Sequence, residues 1–173
     1  MGVTIHFEGR LKSEKAFEQL THLAISFADE QQLPYLVFKE ENKLLPRVKD
    51  EADWDYQGPV KEIKILLHEN ADYLWLEFDE NFYIQEFCKT QFAEPELHML
   101  LVGFLRSLQQ YFAELTVFDE GEYWDTNDRT VLEQHLDYCF RAMENRKMEL
   151  PKVSGPHRME DGRIIDLIVD GGD

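Results

Sequence analysis

The sequence predicts an α+β fold in which helices pack mainly on one face of a mostly antiparallel sheet, and three observations carry that expectation. Several runs alternate apolar and polar residues with the period of two that a half-buried strand requires, whereas others repeat apolar residues every three or four positions, as a helix with one buried stripe does. The order of these runs is strand, helix, strand, meander, helix, strand, helix, with too many hairpins for a doubly wound parallel sheet. The chain has 173 residues, 43% hydrophobic and 13% aromatic, which suits one domain around one core.

Val3, Ile5 and Phe7 alternate with Thr4, His6 and Glu8 to give the first strand. Ser13 can cap a helix whose stripe is Phe17, Leu20, Leu23, Ala24, Phe27 and Ala28, and Pro34 stops it. Residues 35–38 read as a short strand, and the charged stretch 39–57, which contains Pro46, as a long mobile excursion. Three strand-like runs follow at 60–67, 73–78 and 82–89, separated by HENAD and DEN. Pro95, between Glu94 and Glu96, suits the first turn of a second helix striped by Leu97, Leu101, Phe104, Leu105 and Leu108. After a strand at 115–119 and the loop EGEYW, a third helix begins near 125–128, capped by Asp125 or Thr126, and carries Leu132, Leu136, Cys139, Phe140 and Met143. The domain therefore spans 1–150, followed by a loosely tethered tail, 151–173, in which RIIDLIVD at 163–170 can dock as an extra strand.

The DEN turn allows a finer inference. A three-residue loop 79–81, with Asn81 in the left-handed conformation that asparagine tolerates, pairs Phe78 with Phe82 and Leu76 with Ile84. One face of the hairpin then belongs to the core. The other carries Tyr73, Trp75, Glu77, Tyr83, Gln85, Phe87 and Lys89, an aromatic platform that is either covered by the third helix or the tail, or open as a binding surface.

Charge narrows the function classes. With 18 Lys and Arg against 35 Asp and Glu, the net charge is −17, which argues against a nucleic-acid partner and favours a basic protein surface. The amino end shows no signal-peptide pattern, Gly2 lacks the Ser or Thr at position 6 that myristoylation needs, and no run is long and apolar enough to span a membrane. Cys88 and Cys139 have no CxxC spacing and read as reduced thiols of a cytoplasmic protein. No cofactor is predicted, because phosphate-loop, dinucleotide and nucleophile-elbow motifs are all missing. No metal site is predicted either. HENAD lacks the second histidine of HExxH, and VFDEGEYWDTND, although rich in carboxylates that Mg²⁺ or Ca²⁺ would attract, lacks the spacing and glycine of a calcium loop.

The segments YLWLEFDENFYIQEFCKTQFAEPELH and LTVFDEGEYWDTND together resemble a family of small, acidic, uncharacterised bacterial proteins sharing EFD, YIQEF, KTQFA and DEGEYW-like stretches, over roughly residues 58–136. The resemblance implies a bacterial, cytoplasmic, single-domain protein and directs attention to Glu86, Lys89, Thr90, Gln91, Glu120, Glu122, Tyr123 and Trp124; it assigns them no activity.

Two functional readings follow. The first is a non-enzymatic binding or regulatory protein for basic partners, a toxin-neutralising immunity protein being one concrete version. The second is a small enzyme or ligand-binding domain that uses the aromatic face and clustered carboxylates, with or without a divalent cation. The candidate site residues are Trp75, Glu77, Tyr83, Gln85, Glu86, Lys89, Glu120, Glu122, Tyr123 and Trp124. Neither enzymatic activity nor oligomeric state is fixed by the sequence.

Overall fold

The computed structural model describes residues 2–50, 52–150 and 152–170, with Ala52 and Asp53 in backbone only. Its elements are β1 (Thr4–Leu11), α1 (Glu14–Glu30), β2 (Tyr35–Leu45), β3 (Val48–Lys49), β4 (Ala52–Asp53), β5 (Tyr56–Ile65), β6 (Leu74–Phe78), β7 (Tyr83–Lys89), α2 (Pro95–Leu108) and β8 (Phe112–Asp119). They continue with the single turn α3 (Tyr123–Thr126), α4 (Arg129–Glu149), and β9 (Val153–Ser154), β10 (His157–Arg158), β11 (Ile164–Ile165) and β12 (Ile168–Val169). All described strand pairings are antiparallel, so the α+β expectation holds.

Two three-stranded sheets form the frame, in the orders β2-β5-β6 and β7-β1-β8. The hairpin β6–β7 brings them side by side. On one face Ile5, Phe7, Ile63, Ile65, Leu74, Leu76, Phe78 and Ile84 make the core with α1 and α2. Ser13 accepts from the Ala16 amide at 3.1 Å and starts α1, which buries Ala16, Phe17, Leu20, Ala24 and Ala28. Pro95 starts α2, and the two helices meet where Phe27 stacks on Phe104, 4.2 Å between centroids. α4 buries only Leu132, Leu136, Cys139 and Met143, so it lies at the rim, forming a satellite cluster with Val3. No described helix is long and apolar enough to cross a membrane.

Four local expectations are corrected. The helix cap is Asp128, which accepts from the Thr130 amide at 2.8 Å; Asp125 and Thr126 belong to the separate turn α3. Residues 39–57 are not an excursion. After a bulge between Glu40 and Lys43, β2 resumes pairing with the start of β5 (Lys43↔Gly58, Leu45↔Tyr56), and the small β3–β4 hairpin folds back. Two of the charges that suggested mobility are held in ion pairs, Lys43 with Glu62 and Glu77, and Arg47 with Asp79. The left-handed residue of the hairpin is Phe82 (φ 59°), not Asn81. Asp79 explains the shift: its side chain accepts from the amides of Asn81 (2.7 Å) and Tyr83 (3.0 Å) while its carbonyl accepts from Phe82, so the loop closes one residue later, on Asp79 and Tyr83. Fourth, residues 163–170 pair inside the carboxyl-terminal segment, β10 with β11 and β9 with β12, not with the main sheet. That segment is pinned to the domain by Arg158, which donates to the carbonyls of His68, Glu69 and Ala71, and by the Ile164 amide on Asp72 at 2.7 Å.

β1 and β8 approach so closely at Gly9 that a Cβ there would lie 2.2 Å from the Glu114 carbonyl oxygen. Gly9→Ala is therefore expected to destabilise the protein by about 1–3 kcal/mol in chemical denaturation, since backbone must move to admit the methyl.

Candidate functional site

The turn closes one residue later than expected and no ladder pairs β6 with β7, yet every side chain keeps its expected face, because alternation within each strand does not depend on the partner. Leu74, Leu76, Phe78 and Ile84 are buried in the core, and Tyr73, Trp75, Glu77, Tyr83, Gln85, Phe87 and Lys89 share the outer face. That face is covered at its two margins and open between them.

At one margin the carboxyl-terminal segment lies over Tyr73 and Trp75. Gly162 sits so near the Tyr73 ring that a Cβ would come within 1.9 Å of it, and Trp75 Nε1 donates to the Asp161 carbonyl at 3.3 Å. The ammonium groups of Lys43 and Lys64 lie 5.1 and 4.9 Å from the Trp75 ring. At the other margin Arg47, only 4% exposed, bonds Asp79 at 2.9 Å with its guanidinium over Tyr83, Tyr56 and Trp54. Gln85 exchanges hydrogen bonds with the Val48 backbone. Tyr83 and Gln85 both donate to Glu8, at 2.8 and 3.0 Å; burial, then the Glu8 bond, pushes the Tyr83 hydroxyl up to about 12.

Between these covers runs a groove of about 780 Å³. Its exposed wall is a row of three rings: His6 is directly opposite both Phe87 and Phe118 across the strands, with centroids 5.9 Å from each. Phe87 and Phe118 are 42% and 63% exposed, too much for core residues and arranged as a continuous strip. Glu8 and Thr116 form the next row.

The floor of the groove is a split in the sheet. No ladder joins β6 to β7; they are tied at the ends, by the Asp79 amide on the Tyr83 carbonyl and the Asp72 amide on the Lys89 carbonyl. Into the gap come Glu77, Glu86 and Arg163. Arg163 donates to Glu86 at 2.8 Å and to the Phe87 carbonyl, lies 3.5 Å from Asp72, and stacks 4.0 Å above the Phe87 ring. It thus satisfies a strand carbonyl that a neighbouring strand would otherwise serve. Behind them, Glu62 faces Glu77 across the β5–β6 pair, fully buried, and both carboxylates hold Lys43, the Glu77 bond being 2.6 Å.

These acids have diverging proton affinities. Burial raises Glu86 well above the ordinary range, helped by its hydrogen bond to Glu77. Burial also pushes Glu62 up to about 8, against the pull of Lys43. Glu77 is lowered, because bonds from Glu86, Lys43 and Glu62 outweigh its own burial. No hydrogen-bond partner among the described residues meets Glu62 Oε2.

The remaining expected residues are elsewhere. Lys89 pairs with Asp166 at 2.8 Å, beside a second, apolar cleft between α4 and the carboxyl-terminal segment. Glu120 accepts from the Thr4 amide, and Glu122 bonds His135. Tyr123 packs into both apolar clusters, and Trp124 lies under Arg106, 5.5 Å from ring centroid to guanidinium. Glu77 and Glu86 line the groove; Glu120 and Glu122 do not. Among the described residues, no group of three or more His, Cys, Asp or Glu is placed to hold a metal.

A buried relay runs from Thr90 to His98 Nδ1 (2.7 Å) and from His98 Nε2 to Asp119 (3.0 Å). Burial alone would raise Asp119, but the His98 bond, its charge and the amides of Trp124 and Gly121 hold it low. All three side chains are 2% exposed or less and none lines a described pocket, so the relay fastens α2 to the ends of β7 and β8. Sequence reasoning missed Lys43, Glu62, Arg163 and Phe118 as site residues. Glu62 alone carried a signal, as a charge between Val60 and Ile63 in a strand-like run.

Comparison with protein-family models, with curated proteins and with solved structures finds no match to this chain.

Proposed function

We propose that the protein is a binding protein that receives a basic segment of a partner protein on the outer face of its sheet. The observation that carries this reading is the row Phe87, His6, Phe118, exposed beside Glu8 and Glu77 in a chain of net charge −17. Aromatic faces and carboxylates together suit guanidinium and ammonium groups, which gain from ring quadrupoles and from charge-assisted hydrogen bonds. The surplus acid would speed the encounter. Neutralising a basic toxin is one service that such a surface can perform.

The test is binding to a panel of small basic proteins by calorimetry at low and high salt. Phe118→Ala is expected to weaken any complex about tenfold, since an exposed anchor is lost without disturbing the core. Affinity should also fall steeply as salt rises. Complexes indifferent both to Phe118 and to ionic strength would remove the reading.

A second reading rests on one specific observation. Glu77 and Glu86 lie side by side at the floor of the groove with proton affinities driven apart, which is how acid and base partners are commonly prepared. A hydrolytic activity abolished by Glu86→Gln with the fold intact would favour it over binding alone.

A further inference from the structure

We propose that the basic partner segment adds as an extended strand to the free edge of β8, antiparallel to it, with its basic side chains directed onto Phe118 and the groove. This rests on the binding reading above and specifies its geometry.

Among the described residues β8 is an edge strand, hydrogen-bonded to β1 alone. The Glu120 amide bonds the Thr4 carbonyl, and Thr4 is opposite Glu120 in the same register. Backbone groups alternate direction along a strand, so Glu114, Thr116 and Phe118 turn theirs toward β1. The N–H and C=O of Leu115 and Val117 are left on the outer edge, where no described backbone group meets them. Exposed edges of this kind accept an added strand unless charge, proline or irregularity discourages it. The other free edge, β2, has those devices: Lys39, Glu40, Glu41 and Lys43 in succession and a bulge between Glu40 and Lys43. The irregularity in the pairing of β8 with β1 lies between Phe112 and Glu114, and the open stretch beyond it, Glu114 to Phe118, has neither proline nor lysine.

Charge selects the occupant. Between Arg106 and Arg129 the chain has Glu114, Asp119, Glu120, Glu122, Asp125 and Asp128 and no Lys, Arg or His at all. Asp119 and Glu122 are met by His98 and His135, and Glu114 lies opposite Arg10, but this stretch itself contributes only acids beside the edge, in a chain of net charge −17, which favours a basic segment over an acidic one. The geometry also fixes which residues do what. Partner residues opposite Leu115 and Val117 exchange hydrogen bonds with β8 and point their side chains to the core side; those opposite Thr116 and Phe118 point theirs over the groove.

A ten-residue peptide of alternating arginine and threonine tests this. With arginine over the groove, the threonine amides face β8. N-methylation of the threonines is expected to weaken binding at least tenfold, while N-methylation of the arginines changes it less than twofold. Hydrogen exchange should slow at Leu115 and Val117 in the complex. Equal tolerance of both methylated peptides, or protection confined to β2 or to the helices, overturns the strand geometry while leaving the groove reading intact. A peptide that fails to bind at low salt also overturns it. The groove reading itself stands or falls separately, on the Phe118→Ala result with folded basic proteins.

Discussion

Arg163→Ala is expected to destabilise the protein by about 3–5 kcal/mol, the usual cost of removing one partner from a buried ionic cluster. Its guanidinium lies 3.5 Å from Asp72, donates to Glu86, both nearly inaccessible, and caps the Phe87 carbonyl in the split between β6 and β7. Without it, Asp72 loses its nearest cation, and Glu86 and the Phe87 carbonyl lose a buried donor. The same change removes one of the ties between residues 157–165 and the sheet, leaving those of Arg158 and the Ile164 amide, so proteolysis at Arg158 should accelerate in parallel with the fall in denaturation midpoint. Arg163→Lys keeps the charge but not the planar fork, and should recover only part of the loss. A loss below about 1 kcal/mol for alanine would mean that the split is held by something else.

Glu62→Gln should change how stability depends on pH. The folded-state value of Glu62, about 8, lies above the roughly 4.3 of an unfolded glutamate, so the folded protein holds a proton that the unfolded chain releases. Its contribution is complete below the unfolded value and is lost as pH rises through about 8. Glutamine keeps an oxygen for Lys43 and offers an N–H toward Glu77 without titrating. Wild type and variant are thus expected to be similar near pH 5, and the variant more stable by about 1–3 kcal/mol near pH 9, where the charged carboxylate leaves a buried oxygen unmet. The difference between the two curves isolates Glu62 from Glu86, which acts in the same direction, and from Glu77, which opposes it. Parallel curves would mean that Glu62 is ionised throughout.

How legible the site was in the sequence depended on whether its pattern was local. Period-two alternation assigned Trp75, Glu77, Tyr83, Gln85 and Phe87 to the outer face, and it did so even though the turn closes on Asp79 and Tyr83 and no ladder follows, because alternation belongs to each strand by itself. Ser13 and Pro95 marked helix starts because capping is a matter of one or two neighbours. The split between β6 and β7 was hidden. It depends on Arg163, 76 positions from Phe87, and on Lys43 reaching Glu62 from beyond a bulge, and neither partner is visible from its own neighbourhood. Residues 39–57 read as mobile for the same reason: Lys43 and Arg47 look solvated until the buried acids they serve are known. Phe118 was missed because its alternation with Val117 and Thr116 says that it faces outward, while nothing local says that His6 and Phe87 continue the row.

The most direct test of the outer face as the binding surface is a ¹⁵N-labelled spectrum of the protein titrated with a small basic protein at low salt. The binding reading predicts shifts concentrated on His6, Glu8, Phe87, Thr116 and Phe118, reversed by salt and lost with Phe118→Ala. Shifts spread over the acidic surface of α1 and over α4, with the β1, β7 and β8 amides unmoved, would contradict it.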